Sequence, residues 1–136
     1  MAGPRVFTLE EANALIPDLE TSFAELDALR ERTKAAKVKL NALEMIWGRE
    51  INESDCPDHR EGLDLVQQLK EAQEEVGSVV EQLGALGATV KDVHAGLADV
   101  YHVRDGYLVF LCWQRGETEF EAWHHVDEGF ANREPL

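Results

Sequence analysis

The sequence predicts an α+β fold: a long antiparallel helical hairpin, preceded by a short N-terminal helix, and then a three-stranded antiparallel β-meander. Two observations lead to this prediction. Apolar residues recur at helical spacing over residues 8–86, and after Gly87 their spacing approaches two. The 136 residues fit a single domain, with the hairpin over 8–86, the meander over 87–126 and a turn-rich C-terminal tail over 127–136.

A proline separates the first two predicted helices. Thr8 and Glu11 have the spacing of a capping box, in which each side chain accepts a hydrogen bond from the other residue's backbone, and this predicts a short helix over about 9–15. Pro17 lacks a backbone donor and disfavours helical geometry in the residue before it, so a break or kink is expected there. A new helix can begin at Pro17, and no further proline interrupts it up to about Glu50.

The second long helix has the clearest apolar pattern in the chain. It follows segment 51–58, whose composition is typical of a turn. Its apolar residues alternate steps of four and three and form a heptad seam, namely Leu65, Leu69, Ala72, Val76, Val79, Leu83 and Leu86. Each long helix would run roughly 45–50 Å. Their similar length and short connection predict an antiparallel hairpin.

Two turn-forming pairs divide the C-terminal third of the chain into β-rich runs. These pairs are Asp105-Gly106 and Arg115-Gly116. The strands that they delimit cover about 97–104, 107–114 and 117–125. If both turns are two-residue loops, the register of the whole meander follows, because a slip by one residue would exchange its faces.

In this register the two faces of the meander differ in character. One face places Val100 opposite Leu111 and Leu111 opposite Phe120, which predicts a core face packed on the helices. The other face carries aromatic residues such as Phe110 and Trp123. An exposed aromatic patch usually marks an interface.

A candidate metal site lies on the second face. The predicted register aligns Asp99, Cys112 and Glu119 across the three strands. A row of carboxylate, thiolate and carboxylate groups is able to hold a divalent transition metal, with His125 nearby as a fourth ligand. The alternative is an acid pair that flanks a half-buried cysteine at an interface.

A second polar cluster is expected at the open end of the core face. It contains Tyr107 and His124, with His102 adjacent and His94 entering from the preceding loop. Histidine titrates near neutral pH and is a common metal ligand. The alternative is that these histidines cap the sheet edge by hydrogen bonding.

Both ends of the chain carry motifs that are similar to a known family. These are Phe7-Thr-Leu-Glu-Glu-Ala-Asn-Ala-Leu-Ile-Pro-Asp-Leu19, Gly96-Leu-Ala-Asp99, Leu111-Cys-Trp113, Trp123-His124 and Gly129-Phe-Ala-Asn-Arg-Glu-Pro135. They resemble the bacterial family of unknown function numbered 2203. The resemblance implies a small bacterial cytosolic protein. It transfers no functional residue, because the family carries no established activity.

The charge balance limits the classes of partner. With 27 acidic and 13 basic residues, the net charge is −14, which disfavours nucleic acid and anionic membrane surfaces as partners. No stretch approaches the roughly 18 apolar residues of a membrane span, and the N-terminus has no apolar run typical of a signal peptide. The two cysteines do not resemble a disulfide framework, so a cytoplasmic location is expected.

Two hypotheses about function from different classes follow. No phosphate-binding glycine loop, nucleophile elbow or zinc-protease motif is present in the sequence, so no enzymatic activity is indicated. The first hypothesis is a non-enzymatic, self-associating interaction protein that dimerises through the seam at 65–86. The second is a protein that binds a divalent metal or a small molecule on the meander, through Asp99, Cys112, Glu119 and His124, with Glu117 as a further candidate.

Overall fold

The computed structural model describes residues 4–136 and has the expected α+β layout. Three α-helices come first: α1 (Leu9–Ala14), α2 (Ile16–Trp47) and α3 (His59–Leu86). Five strands follow: β1 (Thr89–Asp92), β2 (Leu97–Arg104), β3 (Tyr107–Gln114), β4 (Ala122–His125) and β5 (Glu134–Pro135). Short 3₁₀ turns occupy Gly48–Asn52 and Phe130–Asn132. The chain divides into two compact units, residues 26–78 and the remainder.

The capping box at the start of α1 is present. The Glu11 backbone N–H donates to the Thr8 hydroxyl at 3.1 Å, and the Thr8 N–H donates to the Glu11 carboxylate at 2.9 Å. Leu15 alone separates α1 from α2, which places Pro17 in the first turn of the long helix. The predicted break is therefore confirmed, because a proline at this position gives up only a donor that has no partner within the helix.

The unit formed by residues 26–78 is a helical hairpin. Arg32 on α2 forms an ion pair with Glu75 on α3 at 3.4 Å. At the other end, the Trp47 indole donates to Asp58 at 2.8 Å, just before α3 begins. The two helices thus pair near their middles, through Arg32 and Glu75, and again beside their connection, as an antiparallel arrangement requires. Its small core contains Ala36, Leu43, Ile51 and Leu65, with Leu40, Trp47, Cys56 and Leu69 partly buried against it.

The heptad seam of α3 is largely covered within one copy of the chain. Leu65, Ala72, Val79 and Leu83 are buried, whereas Leu86 at the end of the seam is exposed. The hydrophobic effect that would drive dimerisation through this seam therefore already acts inside the monomer. Dimerisation through the seam stays a prediction.

The sheet has five antiparallel strands in the order β1-β2-β3-β4-β5, not the three that were predicted. The two additional strands lie at its edges. Strand β1 has four residues, with Val90 opposite Ala98, and β5 has two residues that pair with β4. The sequence prediction omitted both because such short segments are too brief to show an alternating pattern.

The predicted register of the first hairpin is confirmed. Asp99 lies opposite Cys112, and Val100 lies opposite Leu111. The two-residue turn has positive φ angles at both central positions, +52° at Asp105 and +82° at Gly106. Positive φ angles at both central residues give a two-residue turn the same twist as the strands that it connects. The local sequence was therefore sufficient to set this pairing.

The predicted register of the second hairpin was wrong. Cys112 lies opposite Ala122, which is three positions further along the chain than Glu119. Because an odd shift exchanges the faces of a strand, His124 points to the face of Cys112, and Trp123 points to the opposite face. His124 is therefore removed from the core face on which the sequence placed it.

Hydrogen bonds in the connecting loop explain the shift. The Gln114 N–H donates to the Glu117 carboxylate at 2.6 Å, and the Trp113 indole donates to the Glu117 carbonyl at 2.9 Å. The Phe120 N–H donates to the side chain of Asn13 at 2.7 Å, far away in sequence. Since these groups already have partners, the backbone pairs with β3 again only from Ala122 onward.

Substitution of Gly87 should destabilise the fold. Its φ is +102°, and an added Cβ would lie 2.7 Å from the ring of Phe7, which is buried. We expect Gly87→Ala to lower the free energy of unfolding by about 2 kcal/mol or more through backbone strain and steric overlap. Urea unfolding followed by circular dichroism measures this change.

Gly84→Ala is the matched control. Gly84 lies within α3, and nothing approaches an added Cβ within 4 Å. Alanine is the better helix former, so a gain of roughly 0.5–1 kcal/mol is expected. Equal effects of the two substitutions would contradict the close packing of Gly87 on Phe7.

Candidate metal centre

Three potential metal ligands meet on neighbouring strands of the sheet. Asp99 on β2, Cys112 on β3 and His124 on β4 each offer one ligand atom, and these atoms lie within 4.8 Å of one another. All three residues are buried, with Asp99 and His124 each only 2% exposed. The corrected β3–β4 register brings them together, because it turns His124 toward Asp99 and Cys112.

The backbone fixes the orientation of the His124 ring. Its Nδ1 lies 2.8 Å from the carbonyl oxygen of His125, so Nδ1 carries a hydrogen and donates it. Its Nε2 lies 2.9 Å from Oδ2 of Asp99, and a hydrogen bond at this distance contains one proton. Whichever atom holds that proton, the pair has no net charge, which limits the cost of burying it.

Burial shifts the titration of the two acidic groups. Desolvation raises the pKa of Asp99, although His124, Cys112 and Lys91 partly oppose the shift. Desolvation, followed by the neighbouring Asp99 carboxylate, raises the pKa of the Cys112 thiol to about 12. The cysteine is therefore a protonated thiol at neutral pH, and only a bound cation would make it a thiolate there.

Arg133 from the C-terminal segment lies beside the cysteine. Its guanidinium partly opposes the rise in the pKa of the Cys112 thiol and pairs with both carboxylate oxygens of Glu117, at 3.1 and 3.3 Å. The ring of Phe130 lies 4.5 Å beneath it. The hydrogen bonds that Arg133 donates to Glu117 are the largest factor that raises the pKa of Arg133. A fixed cation of this kind is able to stabilise a thiolate at Cys112.

A cavity of about 360 Å³ opens onto the centre. Its walls include two of the three potential ligands, Asp99 and Cys112. The remaining lining residues are Lys91, Asp92, Leu97, Glu128, Gly129 and Phe130. A molecule in this cavity would therefore contact Asp99 and Cys112.

Two of the residues proposed as ligands from the sequence lie elsewhere. Glu119 is exposed in the loop before β4, so its predicted alignment with Cys112 was wrong. The His125 side chain is exposed and lies edge-on to Trp123, with ring centroids 5.1 Å apart. His125 serves the centre through its carbonyl oxygen instead.

The predicted cluster of Tyr107 with three histidines does not assemble. Tyr107 and His94 are exposed, and His124 faces Asp99. His102 donates from Nδ1 to the carbonyl of Phe7 at 2.7 Å and so has the hydrogen-bonding role that was the alternative reading. The open end of the core face therefore contains no site of the predicted kind.

Arg133 and Lys91 were not recognised from the sequence. Arg133 lies in the turn-rich tail, and no spacing relates it to Cys112 on β3. Lys91 belongs to the short edge strand that the periodicity did not reveal. Both reach the centre only through the folded arrangement of the sheet and the C-terminal segment.

Comparison with protein families agrees with the resemblance found at the two ends of the chain. Residues 5–136 match the family model described as an uncharacterized conserved protein, DUF2203. The chain belongs to the DUF2203 family. No curated protein and no solved structure gives a significant match. Within residues 4–136 of this DUF2203 protein, no helix is both long and apolar enough to cross a bilayer.

The raised pKa of Cys112 predicts how its thiol reacts. In a Cys56→Ser variant, Cys112 is the remaining cysteine. Because its pKa is about 12, the thiolate fraction and the rate of alkylation should rise about tenfold per pH unit from pH 8 to 10. Iodoacetamide labelling followed by mass spectrometry measures this rate.

Glutathione, a small thiol free in solution, supplies the comparison. A thiol of this kind is largely ionised above about pH 9, so its rate of alkylation levels off. A Cys112 rate that levels off in the same range would contradict the protonated, desolvated thiol.

Proposed function

We propose that this DUF2203 protein binds one divalent transition metal ion through Asp99, Cys112 and His124. The observation that carries the proposal is the convergence of three different ligand atoms within 4.8 Å on three adjacent strands. In a tetrahedral zinc site, ligand atoms at 2.0–2.3 Å from the metal lie roughly 3–4 Å apart. Small side-chain movements would bring the three atoms to that spacing.

The chemistry of the donors favours zinc or a similar borderline metal. Thiolate and imidazole ligands suit Zn²⁺, and a carboxylate completes sets of this type. Hard cations such as Mg²⁺ and Ca²⁺ prefer oxygen ligands and are disfavoured by the sulfur of Cys112 and the nitrogen of His124. The donor set therefore points to a transition metal.

The charges of the loaded centre would balance. A divalent cation with the carboxylate of Asp99, the thiolate of Cys112 and a neutral His124 has zero net charge. A neutral centre has a lower desolvation cost in a buried position than an isolated ion. The hydrogen bond from His124 to the backbone carbonyl leaves Nε2 as the ligand atom, as is usual for metal-bound histidines.

Metal binding is expected to depend on all three residues. The untagged, chelator-treated protein should bind about one equivalent of Zn²⁺ in isothermal titration calorimetry. Cys112→Ser, Asp99→Asn and His124→Gln should each weaken binding roughly a hundredfold or more, because each removes one of few ligands from a site that depends on all of them. Far-UV circular dichroism verifies that each variant is folded.

Glu119→Gln and His125→Gln are the matched controls. Both residues were ligand candidates by sequence, and both side chains are exposed away from the centre. Their zinc affinity should equal that of the wild type. Binding of less than one zinc ion per wild-type chain would refute the site. A loss of zinc affinity in the control variants as large as in the ligand variants would also refute it.

Zinc binding should release two protons at neutral pH. One comes from the Cys112 thiol, whose pKa of about 12 keeps it protonated in the free protein. The other is the proton shared by Asp99 and His124. Calorimetry in buffers of different ionisation enthalpy counts released protons, and affinity should rise about a hundredfold per pH unit near neutrality. A count of zero would contradict the protonation described for the free site.

We propose self-association of the helical hairpin as a second function. The hairpin exposes large apolar side chains, among them Met45 at 87% and Val38 at 62% exposure on α2. These two residues are seven positions apart, so they lie on one side of the helix. Leu63 and Val66 on α3 are also exposed. A second copy of the chain that covered such side chains would remove apolar surface from water.

Light scattering tests the self-association. The wild type should form dimers at micromolar concentration, and Val38→Glu with Met45→Glu should give monomers. Gln82→Glu, which adds a charge at an exposed polar position of α3, should leave the dimer intact. A wild type that stays monomeric at high micromolar concentration would rule out this second function.

A cytoplasmic location is part of the proposal. The two cysteines, Cys56 and Cys112, are free thiols. A thiol that serves as a metal ligand must stay reduced, which a reducing compartment ensures.

A further inference from the structure

We propose that the metal ion keeps one coordination position open to the cavity, and that this position binds a small, singly charged anion beside Lys91. The inference rests on the proposed metal site and assigns a role to it. In this role the metal ion binds an exchangeable ligand and is not a structural cross-link. Carboxylates are the chemical class that fits.

The number of protein ligands leaves a position vacant. Structural zinc sites are closed by four protein ligands, whereas catalytic ones have three and keep the fourth for water or substrate. In the chain from residue 4 onward, the cluster consists of Asp99, Cys112 and His124, and no fourth histidine, cysteine or carboxylate belongs to it. A tetrahedral ion would therefore need one further ligand from outside the chain.

The chain itself provides hydrogen-bond partners for the polar groups at the centre. Across residues 4–136, no buried side-chain nitrogen or oxygen lacks a hydrogen-bond partner. Asp99 and His124 satisfy each other at 2.9 Å, and the His125 carbonyl satisfies the other ring nitrogen. A site that is already satisfied without metal is poorly explained as a structural cross-link.

The cavity provides the space for an outside ligand. Asp99 and Cys112 form part of its wall, so an ion bound to them would face the cavity. Its volume of about 360 Å³ falls in the range of small-molecule sites and exceeds the roughly 30 Å³ of one water many times. An anion with several heavy atoms would therefore fit next to the ion.

The charges around the cavity select the kind of anion. The ammonium of Lys91 lies 4.7 Å from the centre of the Phe110 ring, and that ring packs on His124 at 5.4 Å. This cation would complement a negative charge beside a centre that is itself neutral. Asp92 and Glu128 also line the cavity and repel anions, which penalises a doubly charged phosphate more than a carboxylate.

Cobalt substitution tests the open position. Co²⁺ replaces Zn²⁺ in sites of this kind, and its visible absorption bands report the ligands and the coordination number. We expect azide and acetate, added at constant ionic strength, to change these bands in a saturable way. Inorganic phosphate should bind more weakly than acetate.

Lys91→Gln separates the anion site from the metal site. This variant should still bind Co²⁺, and once it is saturated with Co²⁺ its affinity for acetate should fall about threefold to fivefold, the effect of one exposed charge. Lys70→Gln, an exposed lysine on α3, is the control and should change neither affinity.

The outcomes distinguish the two proposals. A protein that binds no Co²⁺ overturns the metal site itself. A protein that binds Co²⁺ with bands unchanged by azide and acetate keeps the metal site and overturns the open position. Phosphate binding tighter than acetate, or a Lys91→Gln variant with unchanged acetate affinity, overturns the selection of a single charge beside Lys91.

Discussion

The pairing of β3 with β4 decides which side chains meet at the buried centre. Cys112 lies opposite Ala122, and this register turns His124 toward Asp99. A register different by one or three residues would direct the imidazole to the other face, because side chains alternate along a strand. The hydrogen bond between Asp99 and His124 and the convergence of the three ligand atoms both follow from this one pairing.

Glu117 connects this register to the chemistry of the centre. Its carbonyl and its carboxylate accept hydrogen bonds from Trp113 and Gln114, which keep the loop from pairing with β3. The same carboxylate holds Arg133, which partly opposes the rise in the pKa of Cys112. One loop residue thus delays the start of β4 and places a cation beside a potential thiolate. A change at Glu117 would affect strand pairing and electrostatics together.

The buried polar groups are tolerated because they form a closed set. Asp99 and His124 share a proton, the ring of His124 is fixed by a backbone carbonyl, and Cys112 remains protonated. Unpaired charges in such a position would be costly, whereas this set carries none. A divalent cation would replace two protons and leave the net charge of the set unchanged. The free and the loaded centre are therefore both compatible with the same fold.

The sequence by itself determined the elements whose causes are local. The capping box at Thr8, the helix break at Pro17 and the tight turn at Asp105-Gly106 depend on residues within a few positions of one another. Local hydrogen bonds and backbone preferences act on these segments alone, so their patterns were sufficient.

Only the tertiary structure decided the second hairpin and the composition of the centre. The position of β4 depends on Asn13, which binds the loop from 107 residues away in sequence, and Arg133 reaches Cys112 from the C-terminal segment. The Arg115-Gly116 pair does form a turn, in which the Glu117 N–H donates to the Gln114 carbonyl at 3.0 Å. Pairing with β3 does not continue from this turn, because the Glu117 carbonyl accepts from the Trp113 indole and the Phe120 N–H donates to the distant Asn13. Spacing along a chain contains no information about such contacts. The sequence therefore paired Asp99 with Cys112 correctly, but it placed His124, also a ligand candidate, on the opposite face of the sheet.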